Sequence, residues 1–174
     1  MKLRLIFILS LALLAFSCSK DKADYIPSIK SDPYKIYKEG LNAFKKNQFF
    51  FASKKFTEAE TNFTSPEAAA KSSIMSAFSL YAISFYQEAE DNLNRYIKIY
   101  PADKNIMYAH YLLAIISYEQ IGEEKHDLKP LLDAKKKIDF FLETYPNSEY
   151  AIDLNLKKDL VRNQFAARKL YIAK

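Results

Sequence analysis

The segment from Ala89 to Ile121 constrains this chain most tightly, because it spells a helix, a proline stop and a second helix. Ala89, Leu93, Tyr96, Ile97 and Tyr100 recur three and four residues apart, which places them on one helical face. Pro101 ends that helix, since proline removes a donor and clashes with the preceding turn. Met107, Tyr111, Ala114, Ile115 and Tyr118 then form a second apolar face. Helices joined this tightly pack antiparallel as one unit, and the rest of the chain repeats it.

The repeat is carried by small residues at matched positions. Ala52, Ala89 and Ala134 are each followed four residues later by a bulky apolar side chain: Phe56, Leu93 and Ile138. Upstream stand Gly40, Ala77 and Ala114, the first two twelve residues before their alanines and the third twenty before. The phrases Ile99-Tyr100-Pro101 and Thr144-Tyr145-Pro146 close two of the units alike. This resembles the tetratricopeptide pattern, with a period of about 34 residues. Glycine or alanine at a helix crossing lets backbones approach while larger residues interdigitate. The eight extra residues of the third unit fall in a loop between its helices.

The expected fold is therefore all-α, an α-solenoid of antiparallel helix pairs, with units at about 32–64, 65–101 and 104–146 and the first helix of a fourth from 148. Asp32-Pro33 and Ser65-Pro66 read as caps followed by proline in the first turn. Tyr34, Tyr37, Leu41 and Phe44 are expected to form the buried face of the first helix. Phe49, Ala52, Phe56, Ala59 and Phe63 do so for the second, and Ile74, Ala77, Tyr81 and Phe85 for the third. The third pair is expected from Asn105 to about Ile121 and from Asp127 to Tyr145, around a Gly122–His126 loop. Leu131, Ala134, Ile138, Phe141 and Tyr145 point inward on its second helix. Asn147-Ser148 is expected to cap a last helix that runs without a breaker to Lys174. Only two glycines, no tryptophan and no alternating strand pattern agree with this.

Residues 1–17 stand apart from the repeats. Lys2 and Arg4 precede an apolar run from Leu5 to Phe16, the size of a signal h-region and shorter than the ~20 residues a spanning helix needs. The run ends Ala15-Phe16-Ser17-Cys18, which resembles the lipobox of bacterial lipoproteins, with alanine where leucine is commoner. That resemblance implies a signal peptide over 1–17 and a Cys18 carrying diacylglycerol and an N-acyl chain. Each buried methylene contributes ~0.8 kcal/mol, so more than one chain anchors a protein stably. Residues 18–31 read as a short lipidated tether, and Ser19 favours the outer membrane by analogy with enteric sorting. Cys18 is the single cysteine, so no disulfide framework is available. Removing the leader takes Lys2 and Arg4 from a formal net charge of +5, leaving +3 on 157 residues. Lysines such as Lys135-Lys136-Lys137 are interspersed with acids as on a solvated helix, which argues against nucleic acid as a partner.

Between and beyond the repeats stand more particular phrases. They are Arg95-Tyr96-Ile97, Tyr108-Ala109 with Tyr111-Leu112, and Tyr118-Glu119-Gln120-Ile121. After the loop come Tyr145-Pro146-Asn147-Ser148-Glu149-Tyr150-Ala151 and Leu160-Val161-Arg162-Asn163-Gln164-Phe165-Ala166. With a lipoprotein cysteine and a tether before them, these resemble the BamD family of outer membrane protein assembly factors over nearly all of 18–174. The resemblance implies a lipid-anchored protein on the periplasmic face of the outer membrane. Its partners would be the barrel-forming assembly subunit, companion lipoproteins and unfolded outer membrane proteins. Three departures stand out. His126-Asp127 replaces the usual Arg-Asp, and Ala167-Arg168-Lys169 replaces a stretch that normally carries a glutamate. The chain also stops at Leu170-Tyr171-Ile172-Ala173-Lys174, where the family continues with a further repeat, so a fragment or a shortened version is expected.

Catalysis finds little footing in these residues. His110 and His126 lie in different elements, the first expected as a packing or rim residue and the second in a solvated loop. No Gly-rich phosphate loop is present, and no metal ligands or cofactor are expected beyond the lipid. The pairs Glu58/Glu60 and Glu88/Glu90 are two residues apart and do not share a helix face. A muramidase-like helical enzyme would need a paired acid site, and none is indicated. Binding is the better reading: thirteen tyrosines and thirteen phenylalanines exceed what the repeat positions demand. Tyr37, Phe63, Tyr81, Tyr108 and Tyr111 are candidates to line a groove for an extended peptide. The expected occupant is the C-terminal strand of an unfolded barrel protein, apolar and ending in an aromatic residue. The alternative is a tetratricopeptide lipoprotein that scaffolds peptidoglycan or cell-division complexes, separable by what it co-purifies with.

Overall fold

The computed structural model describes residues 32–122 and 128–172, with side chains described as far as Lys169. The expectations for the signal peptide, Cys18, the tether, His126 and the side chains of Leu170–Lys174 lie outside these residues. Among the described residues seven helices follow one another: α1 Pro33–Lys45, α2 Phe49–Asn62, α3 Pro66–Tyr81, α4 Tyr86–Ile99, α5 Ile106–Glu119, α6 Lys129–Thr144 and α7 Glu149–Ile172. Among the described residues there is no strand. Each helix packs chiefly on its neighbours in sequence, and α7 also reaches α5. This is the all-α, tetratricopeptide-like solenoid that the repeat predicts.

Local chemistry sets the helix ends. The Asp32 carboxylate accepts the Tyr34 N–H at 3.0 Å and the Ser65 hydroxyl accepts the Ala68 N–H at 3.4 Å, each with proline next in the chain. The first two hairpins turn by one backbone device. Gln48 N–H returns to Ala43 O and Asn47 N–H to Phe44 O; thirty-seven residues later Phe85 N–H returns to Leu80 O and Ser84 N–H to Tyr81 O. These are Schellman closures, whose pivot residue sits in the left-handed region. Asn47 has φ 58° and Ser84 φ 60°.

The core runs along the stack in three buried clusters, around Ala52/Phe56, Ala89/Leu93/Tyr96 and Ile138/Phe141/Leu154. The paired small and large positions meet as the repeat requires. A Cβ on Gly40 would stand 2.9 Å from the Phe56 ring, so only glycine permits this crossing without a shift. Phe56, Tyr96 and Phe141 are fully buried. Burying such a ring contributes roughly 1.5–3 kcal/mol.

Four expectations are corrected. The buried face of α1 is Ile36, Gly40 and Ala43, with Tyr37, Leu41 and Phe44 flanking it, and Tyr34 lies at the rim, 64% exposed. The face is rotated because Gly40, not a large residue, must meet α2. Phe85 does not extend the face of α3; it is exposed and precedes α4, because the Schellman turn intervenes. The second helix of the third unit begins at Lys129 rather than Asp127, with Pro130 in its first turn. Ser148 stands directly before α7, yet its buried hydroxyl finds no hydrogen-bond partner among the described residues and so does not cap it.

Candidate functional site

The first helices of the first three pairs, α1, α3 and α5, present side chains to two adjoining clefts. The first, about 380 Å³, is bounded by Tyr34 and Tyr37 of α1, Phe63 after α2, and Glu67, Ala68 and Lys71 of α3. Its walls are aromatic because Tyr34 and Tyr37 both stand against Phe63, with ring centroids 5.0 and 6.3 Å apart. The second cleft, about 480 Å³, is bounded by Phe44, Lys71, Ile74, Met75, Phe78, Lys104, Asn105 and Tyr108. Phe44 meets Phe78 at 5.8 Å, which joins the first and second units in its floor. Lys71 belongs to both clefts.

The charges at this surface are few and identifiable. Lys71 Nζ lies 5.7 Å from the centroid of the Tyr37 ring, a cation–π contact. Lys104 Nζ meets Glu67 Oε1 at 3.1 Å, with both side chains more than 70% exposed. Such a pair contributes little, because water screens it. Burial pushes the Tyr108 hydroxyl up to about 12 and raises Tyr37 as well, so both phenols stay protonated and can donate.

The five aromatic candidates divide between this surface and the interior. Tyr37 and Phe63 share the first cleft, and Tyr108 closes the second. Tyr81 has its ring 6.0 Å from Phe78 of α3 and 6.3 Å from Tyr86 of α4, and it also packs against the core cluster of the third unit. Tyr111 stacks on Tyr150 at 4.4 Å and donates its hydroxyl to Asp153 at 2.9 Å, which ties α5 to α7. Neither Tyr81 nor Tyr111 borders the two clefts. Sequence reasoning missed Tyr34, Phe44 and Phe78, which it assigned to the core or passed over, and it missed Lys71. The available signal was the i, i+4 placement of Glu67, Lys71 and Met75 on one face of α3.

The other singled-out groups are structural. His110 sits between the rings of Phe140 and Tyr145, at 5.0 and 6.0 Å, where burial lowers its pKa. Glu58 and Glu60 are both buried, and each has its own cation: Glu58 meets Lys55, and Glu60 meets Arg95. Their spacing keeps them on separate contacts: Lys55, the partner of Glu58 within α2, also reaches Glu39 of α1, and the Glu60–Arg95 pair ties α2 to α4. Among the described residues no group of three or more His, Cys, Asp or Glu is placed to hold a metal ion. No helix among them is long and apolar enough to cross a membrane.

Comparison with known proteins places this arrangement. A relative from Rickettsia prowazekii (strain Madrid E), outer membrane protein assembly factor BamD, is 30% identical over 169 residues, 97% of this chain and 66% of its own length. The protein of the same designation from Caulobacter vibrioides is 30% identical over 139 residues, 80% of this chain and 46% of the relative. One from Xylella fastidiosa (strain 9a5c) is 25% identical over 109 residues. The chain thus spans between about half and two thirds of the first two relatives. The sequence model of the outer membrane lipoprotein family YfiO matches residues 30–174, which takes in every helix described above. The chain belongs to the YfiO family of outer membrane lipoproteins.

Proposed function

We propose that the protein is a lipid-anchored, non-enzymatic scaffold of outer membrane protein assembly. In this reading Cys18 carries the acyl chains that hold it at the periplasmic face of the outer membrane. The helical stack docks the barrel-forming subunit and its companion lipoproteins. The clefts between α1, α3 and α5 receive the C-terminal strand of an unfolded barrel protein. Support comes from the relatives, which are designated assembly factors, and above all from one observation. Two adjoining clefts lined by Tyr37, Phe63, Phe44, Phe78 and Tyr108 run across the first units. An extended segment with apolar and aromatic side chains on one face finds matching surface there, and stacked repeats commonly bind extended peptides.

Affinity purification of the native lipoprotein from detergent-solubilised envelopes tests the docking part; recovery of the barrel-forming subunit is the expected result. Peptides matching C-terminal strands of barrel proteins, compared with scrambled controls, test the receiving part. The strand peptides are expected to bind more tightly, and equal affinities would overturn that role.

A further inference from the structure

We propose that Lys71 anchors a free C-terminal carboxylate, so that the clefts recognise the end of a chain rather than any apolar stretch within it. The inference rests on the receiving role above and names the group that gives it direction. Lys71 is the cation shared by both clefts. Its ammonium is held over the Tyr37 ring, and no described carboxylate lies within ion-pair distance of it. A lysine so placed keeps hydrogen-bond donors available for an incoming anion.

The surroundings fit a terminal aromatic residue. The cleft of about 380 Å³ beside Lys71, walled by Tyr34, Tyr37 and Phe63, offers ring edges and faces to one aromatic side chain. The preceding residues would run along the larger cleft toward Tyr108 and α5. Glu67 is the acid on this rim, and Lys104 holds it at 3.1 Å, which offsets its repulsion of a carboxylate. A side-chain carboxylate within a peptide carries the same charge. It cannot, however, place the last side chain in the aromatic cleft while the main chain leaves in one direction only.

The test uses the purified chain in detergent and a fluorescent decapeptide ending in phenylalanine, made as the free acid and as the C-terminal amide. Anisotropy should show the acid binding roughly tenfold more tightly, the size of one charge-assisted hydrogen bond. The gap should close in Lys71→Met and persist in Lys71→Arg, with thermal melts showing that both variants fold. Equal affinities for acid and amide, both above a scrambled control, would overturn the carboxylate anchor and leave the receiving role standing. A gap that survives in Lys71→Met would overturn the assignment to Lys71. Failure of either peptide to exceed the scrambled control would overturn the receiving role itself.

Discussion

Arg95 of α4 grips Glu60 of α2 through two parallel bonds of 2.7 and 2.6 Å and touches the Ser73 hydroxyl of α3 at 3.2 Å on the way. One guanidinium thus spans three helices and joins the first unit to the second. The Tyr100 hydroxyl adds a third bond to Glu60 at 3.0 Å. The two ends differ in exposure: the Glu60 side chain is 4% accessible and that of Arg95 38%. Arg95→Met therefore strands a buried charge and should destabilise by about 3 kcal/mol. Glu60→Gln leaves Arg95 able to rehydrate and should cost about 1 kcal/mol. Urea denaturation checks the order, and replacing both residues with methionine should recover most of the loss.

Gly40→Ala should lower stability although alanine favours helices. The added methyl would meet the Phe56 ring at 2.9 Å and the Lys55 Cβ at 3.3 Å. Phe56 is fully buried and flanked by the rings of Tyr37 and Phe44, so it has little room to retreat. Overpacking of this kind costs about 1–3 kcal/mol against a gain of roughly 1 from propensity. A fall in melting temperature is expected, with partial rescue by adding Phe56→Leu.

Ser84 holds φ at 60° with a side chain that disfavours it. Ser84→Gly should raise stability by about 0.5–1 kcal/mol, since the left-handed pivot of a Schellman turn suits glycine. Ser84→Val should lower it. Calorimetry on both variants checks the sign.

His110 gives the fold a dependence on mild acid. Burial between Phe140 and Tyr145 lowers its folded pKa below the ordinary 6.5, so the unfolded chain takes up the proton more readily. Stability from this group is complete above pH 6.5 and falls as pH drops through 6.5 toward the folded value. Asp103 and Asp139, both held below the usual 3.8, lose their contributions at lower pH. For Asp103 burial opposes the shift, and hydrogen bonds from Tyr96 and Asn105 outweigh it. His110→Phe should therefore flatten the denaturation free energy between pH 7 and 5 while leaving the steeper acid limb in place.

The division among the aromatics predicts two classes of variant. Tyr37→Ala and Phe63→Ala should weaken strand-peptide binding several-fold, because they border the first cleft. Tyr111→Phe should leave binding unchanged and cost about 1 kcal/mol of stability, through its lost bond to Asp153. Anisotropy and denaturation on the same samples separate the two effects.

Helix number, order and pairing could all be read from the chain, because the alanine-to-bulky spacing and the prolines act locally. Ala89, Leu93 and Tyr96 announce their face by period alone. The face of α1 could not be read that way. Tyr34, Tyr37, Leu41 and Phe44 also recur at helical spacing, and the close approach of Gly40 to Phe56 is what sets Ile36, Gly40 and Ala43 inward instead. Arg95 and Glu60 were equally hidden: thirty-five residues apart, they are ordinary surface charges until α3 brings them together. Lys71 was passed over for a related reason. A lysine on an amphipathic helix reads as solvated, and its setting depends on Tyr37 from another helix.

The matched turns at Asn47 and Ser84 bear on how such a chain can change over generations. They use the same main-chain bonds and nearly the same φ with different residues at the pivot. The angle between paired helices at these two turns is thus held by peptide groups, which every substitution but proline retains. Side chains facing the clefts can drift while the scaffold that spaces them is passed on unaltered.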